Sequence, residues 1–229
     1  MIKHIFFDLD NTLWDFNKNS KKTLLELIVK FKLKDQGVID PESFIERYQT
    51  YNEYLWDLYR HDKITKEKLR SERFLLTLKD YNINDQKLAN EFGNAYVRES
   101  PIKKELFPFT IKTLNYLKNQ YSLHIITNGF EEVQHIKLKN CDLVKYFTHI
   151  ITSEKVGVKK PNRKIFEYAL KKANTNPKES IMIGDDLKVD IIGAQNLKIK
   201  SIYFNPKKNK IREQNITQIS CLSELIKIL

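Results

Sequence analysis

Ile2-Lys3-His4-Ile5-Phe6-Phe7-Asp8-Leu9-Asp10-Asn11-Thr12-Leu13 is the stretch from which the rest of the chain is read. Residues 2–9 form a short, β-rich apolar run that stops at Asp10-Asn11, so they read as a buried strand ending in a polar loop. Similar runs recur much later, at residues 122–127, 147–152, 181–183 and 199–204. Helical patterns lie between them, at about 111–119, 131–140, 163–173 and 189–196. Strand, helix, strand in steps of roughly 25 residues is the signature of βαβ units, hence of a parallel sheet covered on both faces.

Residues 15–102 break that rhythm. Residues 20–34 carry apolar positions at Leu24, Leu27, Ile28 and Phe31. Asp40-Pro41-Glu42 opens a second helix, with Asp as N-cap and Pro at the first helical position. Thr65-Lys66-Glu67 starts a third and Asn84-Asp85 a fourth. The expected fold is therefore α/β: a parallel-sheet core from residues 1–14 and 103–229, interrupted by an all-helical insert over residues 15–102.

The chain has 229 residues, 41% hydrophobic and 30% charged, enough to build a full apolar core. Cys141 and Cys221 have no CxxC partner or histidine cluster, which excludes a disulfide framework and a zinc site. An acidic residue arrives before a signal-peptide core can form, and no apolar run is long enough to span a membrane. A cytoplasmic location is expected. The net charge is +11, but the lysines are scattered and arginine is scarce. Only Pro206-Lys207-Lys208-Asn209-Lys210 approaches a patch, so stable nucleic-acid binding is not expected.

In open α/β sheets, ligands sit beyond the carboxyl ends of the strands. The first strand delivers Asp8, Asp10 and Thr12 there; the next delivers Thr127-Asn128-Gly129; another delivers Gly184-Asp185-Asp186, with Asp190 beyond. Val156-Gly157-Val158-Lys159-Lys160-Pro161 lies between. Converging carboxylates repel unless a cation joins them, and oxygen ligands with room for water suit Mg²⁺. A carboxylate can attack phosphorus, and a second one two residues on can protonate the leaving oxygen and then activate water. A hydroxyl, loop amides and a lysine can hold the remaining phosphate oxygens.

At these residues the chain resembles the haloacid dehalogenase-like hydrolase superfamily. Phe7-Asp8-Leu9-Asp10-Asn11-Thr12-Leu13 resembles its first motif, Thr127 its second, Lys160 its third, and Gly184-Asp185 through Asp190 its fourth. The resemblance implies a Rossmann-like core with the insert as a C1 cap. It implies Asp8 as nucleophile and Asp10 as general acid/base, with Thr127 and Lys160 on the phosphoryl group. Mg²⁺ would be held by Asp8, the Asp10 backbone carbonyl and Asp185, and oriented from behind by Asp190. Lys160 is preferred to Lys159 because the family's lysine directly precedes this proline. Asn128 is read as a further phosphate contact.

Ile126-Thr127-Asn128-Gly129-Phe130, the Ser153-Glu154 segment through Lys160-Pro161-Asn162, and Lys164-Ile165-Phe166 with Tyr168-Ala169-Leu170 resemble the pyrimidine 5′-nucleotidase subfamily. So do Asn52, Leu55, Trp56 and Tyr59, followed by Arg73-Phe74. The partner implied is a small phosphorylated metabolite, a nucleoside monophosphate. Alternatives are a phosphatase for sugar phosphates or phosphoglycolate, a phosphomutase, a 2-haloacid dehalogenase, or a non-catalytic binding protein on the same fold.

Two departures stand out. Asp186 replaces a more usual small polar residue, and Phe109 follows Pro108 where glycine is common, which bears on the loop's shape. Trp14 either lines a cleft or packs under the insert. The Asn52, Trp56, Tyr59 stripe reads as core, Arg73 and Arg98 as solvated surface, and the five histidines as structural.

Overall fold

A computed structural model describes residues 1–210, 213 and 216–229. The elements follow in the order β1 (His4–Phe7), α1 (Phe16–Lys30), α2 (Pro41–Arg60), α3 (Lys66–Lys79), α4 (Gln86–Glu99), α5 (Thr110–Leu117), β2 (Ser122–Thr127), α6 (Glu131–Asn140), β3 (His149–Thr152), α7 (Ser153–Val156), α8 (Arg163–Lys172), β4 (Ser180–Gly184), a π-helical turn (Leu187–Ile192), α9 (Gly193–Gln195), β5 (Lys200–Phe204), β6 (Gln218–Ile219) and α10 (Leu225–Ile228). They divide into two units, Met1–Phe16 with Lys104–Leu229, and Asn17–Lys103.

The first unit is built on a six-stranded sheet in the order β3-β2-β1-β4-β5-β6, every pair parallel. The α/β sheet read from the apolar runs is therefore present, and β1 sits inside it, with β2 on one side and β4 on the other. Alternation along β1 sends Ile5 and Phe7 into one apolar layer, with Leu114, Leu117, Leu123, Ile125 and Ile183. Phe6 points the other way, into a layer with Ile126, Ile165, Phe166 and Met182. Burial on both faces explains why the strand reads as a continuous apolar run. Parallel pairing brings the carboxyl ends of β1, β2 and β4 to one edge. The two-residue β6 was not anticipated, being too short to give an alternating pattern.

His124 on β2 is buried between the rings of His4 and His149, stacked at centroid distances of 5.4 and 5.3 Å. Burial, reinforced by His4 and His149, pushes the His124 imidazole down to about 3. Between that value and the ordinary histidine range the unfolded chain binds a proton that the folded chain refuses. This contribution to stability is full above about pH 6.5 and declines as pH falls toward 3. Urea unfolding of His124→Gln is expected to lose part of the parent's acid slope, up to about 1.4 kcal/mol per pH unit for one proton. Parallel pH dependences for variant and parent would refute this.

Phe109 stands before α5 with φ of 67° and is 51% exposed. An L side chain in the left-handed region costs about 1–2 kcal/mol, and glycine does not meet that penalty. Phe109→Gly sets relief of that strain against loss of the buried half of the phenyl ring and the added backbone entropy of glycine, so the unfolding free energy is expected to change by less than about 1 kcal/mol. A urea midpoint shifted by the equivalent of more than about 2 kcal/mol in either direction would contradict it.

The second unit packs α1 to α4 around Leu24, Leu27, Phe44, Tyr48, Phe74 and Phe92. Its helix starts match the signals in the sequence: Asp40 accepts from Glu42 N at 3.0 Å, Thr65 from Lys68 N at 3.2 Å, and Asp85 from Leu88 N at 2.9 Å. Asn52 and Tyr59 are buried and Trp56 is half-buried, edge-on to Tyr59. Arg98 is exposed. Arg73 corrects the surface expectation. It is buried, donates to Asn52 Oδ1 at 2.8 Å and Tyr48 Oη at 3.3 Å, and lies over the rings of Phe74 and Tyr96. Position 73 falls one turn after Leu69 and one before Thr77, both buried. A flat, weakly hydrated guanidinium is the cation that tolerates such aromatic company.

Candidate active site

Asp8 follows β1 directly, and its backbone N–H donates to Ile183 O at 2.9 Å, which ties it to the neighbouring strand. Its carboxylate is buried. Lys160 Nζ donates to Asp8 Oδ1 at 2.6 Å and to Ile126 O at 2.7 Å, and sits 2.7 Å from Asp190 Oδ1. Thr12 Oγ1 lies 3.4 Å from Asp8 Oδ2 and 3.2 Å from Asp185 Oδ1. Carboxylate oxygens of Asp8, Asp185 and Asp190 all lie within 4.8 Å of one another.

Burial raises all three carboxyls. Asp8 is pushed up to about 7, where Asp190 and Asp10 add repulsion against the pull of Lys160. Asp185 stands well above the carboxylate range through burial and the charges of Asp8, Asp190 and Asp186. Asp190 is raised by burial, which Lys160 opposes. For Lys160 itself burial favours the neutral amine, but Asp190 and Asp8 more than reverse this and hold the ammonium. Fully ionised, the three carboxylates would outnumber the one ammonium by two charges, and it is this ionisation that burial and mutual repulsion oppose. An oxygen donor set with that deficit fits a hard divalent cation.

The π-helical turn brings Asp190 into this group. The sequence reading began a regular helix at residue 189; instead the chain turns from Leu187, with one wide turn before α9. Asp186 caps it, its Oδ1 accepting from Lys188 N at 3.0 Å and Val189 N at 2.9 Å. That gives the unassigned acid a place, at a helix start. Its backbone N–H donates to Asp190 Oδ2 at 3.2 Å. A Cβ built on Gly184 would overlap the Asp190 carboxyl, so only glycine lets this side chain fold back under β4. Wide helical turns recur at functional sites because they re-aim one side chain.

Thr127 ends β2. Its Oγ1 accepts from Gln134 Nε2 at 2.6 Å and from Gly129 N at 3.1 Å, so the hydroxyl can engage a further group only as a donor. Both ends of the Asn128 amide are committed to the backbone of Lys160, Nδ2 donating to its O at 3.0 Å and Oδ1 accepting from its N at 2.8 Å. Asn128 thus fixes the loop that aims Lys160. The Lys160–Pro161 bond is cis. Of the two adjacent lysines, Lys160 is the buried one and Lys159 is half-buried.

Asp10 is half-buried and both its oxygens are engaged: Lys137 Nζ donates to Oδ1 at 2.6 Å, and Gln134 Nε2 to Oδ2 at 2.8 Å. Lys137 is itself buried and lies 4.3 Å over the ring of Trp14, which packs in the core of the first unit. Sequence reasoning placed the helix over residues 131–140 but gave Gln134 and Lys137 no role. Their spacing puts them on one face, just after the Thr127-Asn128-Gly129 turn, which was the available signal.

A family model described as haloacid dehalogenase-like hydrolase matches residues 2–198. The pyrimidine 5′-nucleotidase YjjG of Escherichia coli is 34% identical over 206 residues, 88% of this chain and 85% of that protein. The glyceraldehyde 3-phosphate phosphatase of Methanothermobacter thermautotrophicus is 30% identical, with all of both chains covered. Among solved structures, the HAD-hydrolase YfnB of Bacillus subtilis bound to magnesium superposes with a TM-score of 0.88 at 26% identity, over 99% of this chain and 98% of that one.

Proposed function

This chain belongs to the haloacid dehalogenase-like hydrolase family, and we propose that it hydrolyses phosphate monoesters through a phosphorylated Asp8. The observation that carries this reading is the buried Asp8 carboxylate, paired with Lys160 and grouped with Asp185 and Asp190 at the end of an interior strand.

Asp8 attacks phosphorus with a carboxylate oxygen as the ester oxygen leaves, and Asp10 supplies the proton that oxygen needs. Water then attacks the aspartyl-phosphate while Asp10 takes its proton, and the Oδ–P bond breaks. Thr127 donates to one phosphoryl oxygen, and the Lys160 ammonium balances charge on another without leaving its carboxylate partners. Mg²⁺ would be held by Asp8, the Asp10 carbonyl and Asp185, with Asp190 orienting them; when bound it supplies charge neutralisation for the phosphoryl group. In this reading the helical insert expected over residues 15–102, compact over Asn17–Lys103, is a C1 cap domain and the remainder the catalytic core.

Pyrimidine nucleoside 5′-monophosphates are the proposed substrates, supported by the nucleotidase relative. A sugar phosphate is the second reading, favoured by the full-length match to a glyceraldehyde 3-phosphate phosphatase. A turnover screen with Mg²⁺ over nucleoside monophosphates, triose and pentose phosphates and phosphoglycolate separates them. Pyrimidine monophosphates are expected to lead in kcat/KM by about tenfold or more, the discrimination that one or two specific polar contacts give. If they fall level with sugar phosphates, the narrower reading fails. Chelation should abolish turnover and Mg²⁺ restore it, which excludes metal-free dehalogenase-type chemistry; phosphate release that survives chelation would overturn the metal dependence. No helix among the described residues is long and apolar enough to cross a membrane.

A further inference from the structure

We propose that Lys137 is a positioning residue that, together with Gln134, holds the Asp10 carboxylate in place for proton transfer; this rests on the reading of Asp8 and Asp10 given above. A lysine ammonium is seldom buried, because removing it from water costs several kcal/mol unless a partner compensates. Lys137 is 5% exposed. Its compensation is the Asp10 Oδ1 contact at 2.6 Å and the face of Trp14 at 4.3 Å. Gln134, wholly buried, spends its amide nitrogen on both Asp10 Oδ2 and Thr127 Oγ1. That orientation of the amide is the one that gives the carboxylate a donor.

The result is a two-point clasp from a single helix face. α6 fixes the carboxylate at both oxygens, and through Gln134 the same helix couples Asp10 to the Thr127 hydroxyl. Each carboxylate oxygen retains a lone pair, so the clasp leaves room for the proton that moves. Gly129 is part of the device. A Cβ there would overlap the Gln134 side chain, so glycine alone lets the amide reach across the turn. Free rotation of Asp10 would instead leave its distance to the leaving oxygen undefined, and misplacement of a reacting group by about 1 Å can cost on the order of a hundredfold in rate.

Two esters with different leaving groups distinguish positioning from a merely structural role. p-Nitrophenolate departs without a proton, whereas the 5′-alkoxide of a nucleoside monophosphate needs one. Lys137→Met with p-nitrophenyl phosphate and Mg²⁺ should release the first equivalent of nitrophenol at close to the parent rate. Steady-state kcat should then fall about 10- to 100-fold, because water attack on the phosphoenzyme still needs Asp10. With a nucleoside monophosphate both steps slow and no burst appears, while KM changes less than about threefold. Lys137→Arg, which restores the cation, should recover most of the turnover.

Gly129→Ala keeps the lysine and displaces Gln134, and should give the same burst with a smaller fall in kcat. Equal slowing of the first and later turnovers of Lys137→Met, or turnover within about twofold of the parent on both esters, would overturn the positioning role. An Asp8→Asn protein that still gave a burst, or a parent inactive on both esters, would instead overturn the phosphoryl-transfer reading on which it rests.

Discussion

Asp8→Asn is expected to lower kcat by at least about 10⁴-fold in a protein that unfolds no more readily than the parent. The amide has the carboxylate's shape and its oxygen can still accept from Lys160, but it does not form the bond to phosphorus. The parent carboxyl is pushed up to about 7 because burial and the nearby acids oppose its charge. Removing that charge relieves repulsion with Asp190 and leaves Lys160 one buried counter-charge. Activity should vanish while the urea midpoint holds or rises, and the two measurements on one variant separate chemistry from folding. Residual turnover above about 1% of the parent would place the nucleophile elsewhere.

Lys160→Met is expected to produce the largest loss of stability in the molecule, about 3–5 kcal/mol, the usual cost of stripping one partner from a buried ion pair. The ammonium here serves two carboxylates, Asp8 and Asp190, each buried. Without it both remain in the core, and they can stay only by binding protons. Their folded carboxyls would then lie further above the unfolded values, so stability persists at low pH and is lost as pH rises. The deficit against the parent should be larger at pH 8 than at pH 5, measured by urea unfolding. Adding Asp190→Asn to Lys160→Met should restore part of the loss. A deficit that ignores pH, or a double variant no better than the single, would show that the charge pair is not what the lysine secures.

The contrast between these residues and Gln134 or Lys137 shows what a sequence of this kind displays. Asp8, Thr127 and Gly184-Asp185 each close an apolar run, so the end of a strand and the chemistry it delivers are written side by side. The helix starts at Asp40, Thr65 and Asp85 are equally local, since a cap bonds within three residues of itself. Lys137 sits among other lysines on a helix, and nothing nearby distinguishes a buried ammonium from a solvated one. Its meaning depends on Asp10, 127 positions away. Arg73 was misread for the same reason: its partners Asn52 and Tyr48 lie on another helix. The π-helical turn escaped periodicity because its one extra residue serves a tertiary contact, the approach of Asp190 to Lys160.

The interior position of β1 also sets an order of events while the chain is being made. Its four residues leave the ribosome early, yet its pairing partners begin at Ser122 on one side and Ser180 on the other. Between them comes Asn17–Lys103, a compact unit with an apolar core of its own. Local contacts form fast and long-range strand pairing slowly. The helical segment can therefore close on the nascent chain while the apolar β1 still waits, and β1 is the piece that a trigger chaperone or an aggregating neighbour would meet first.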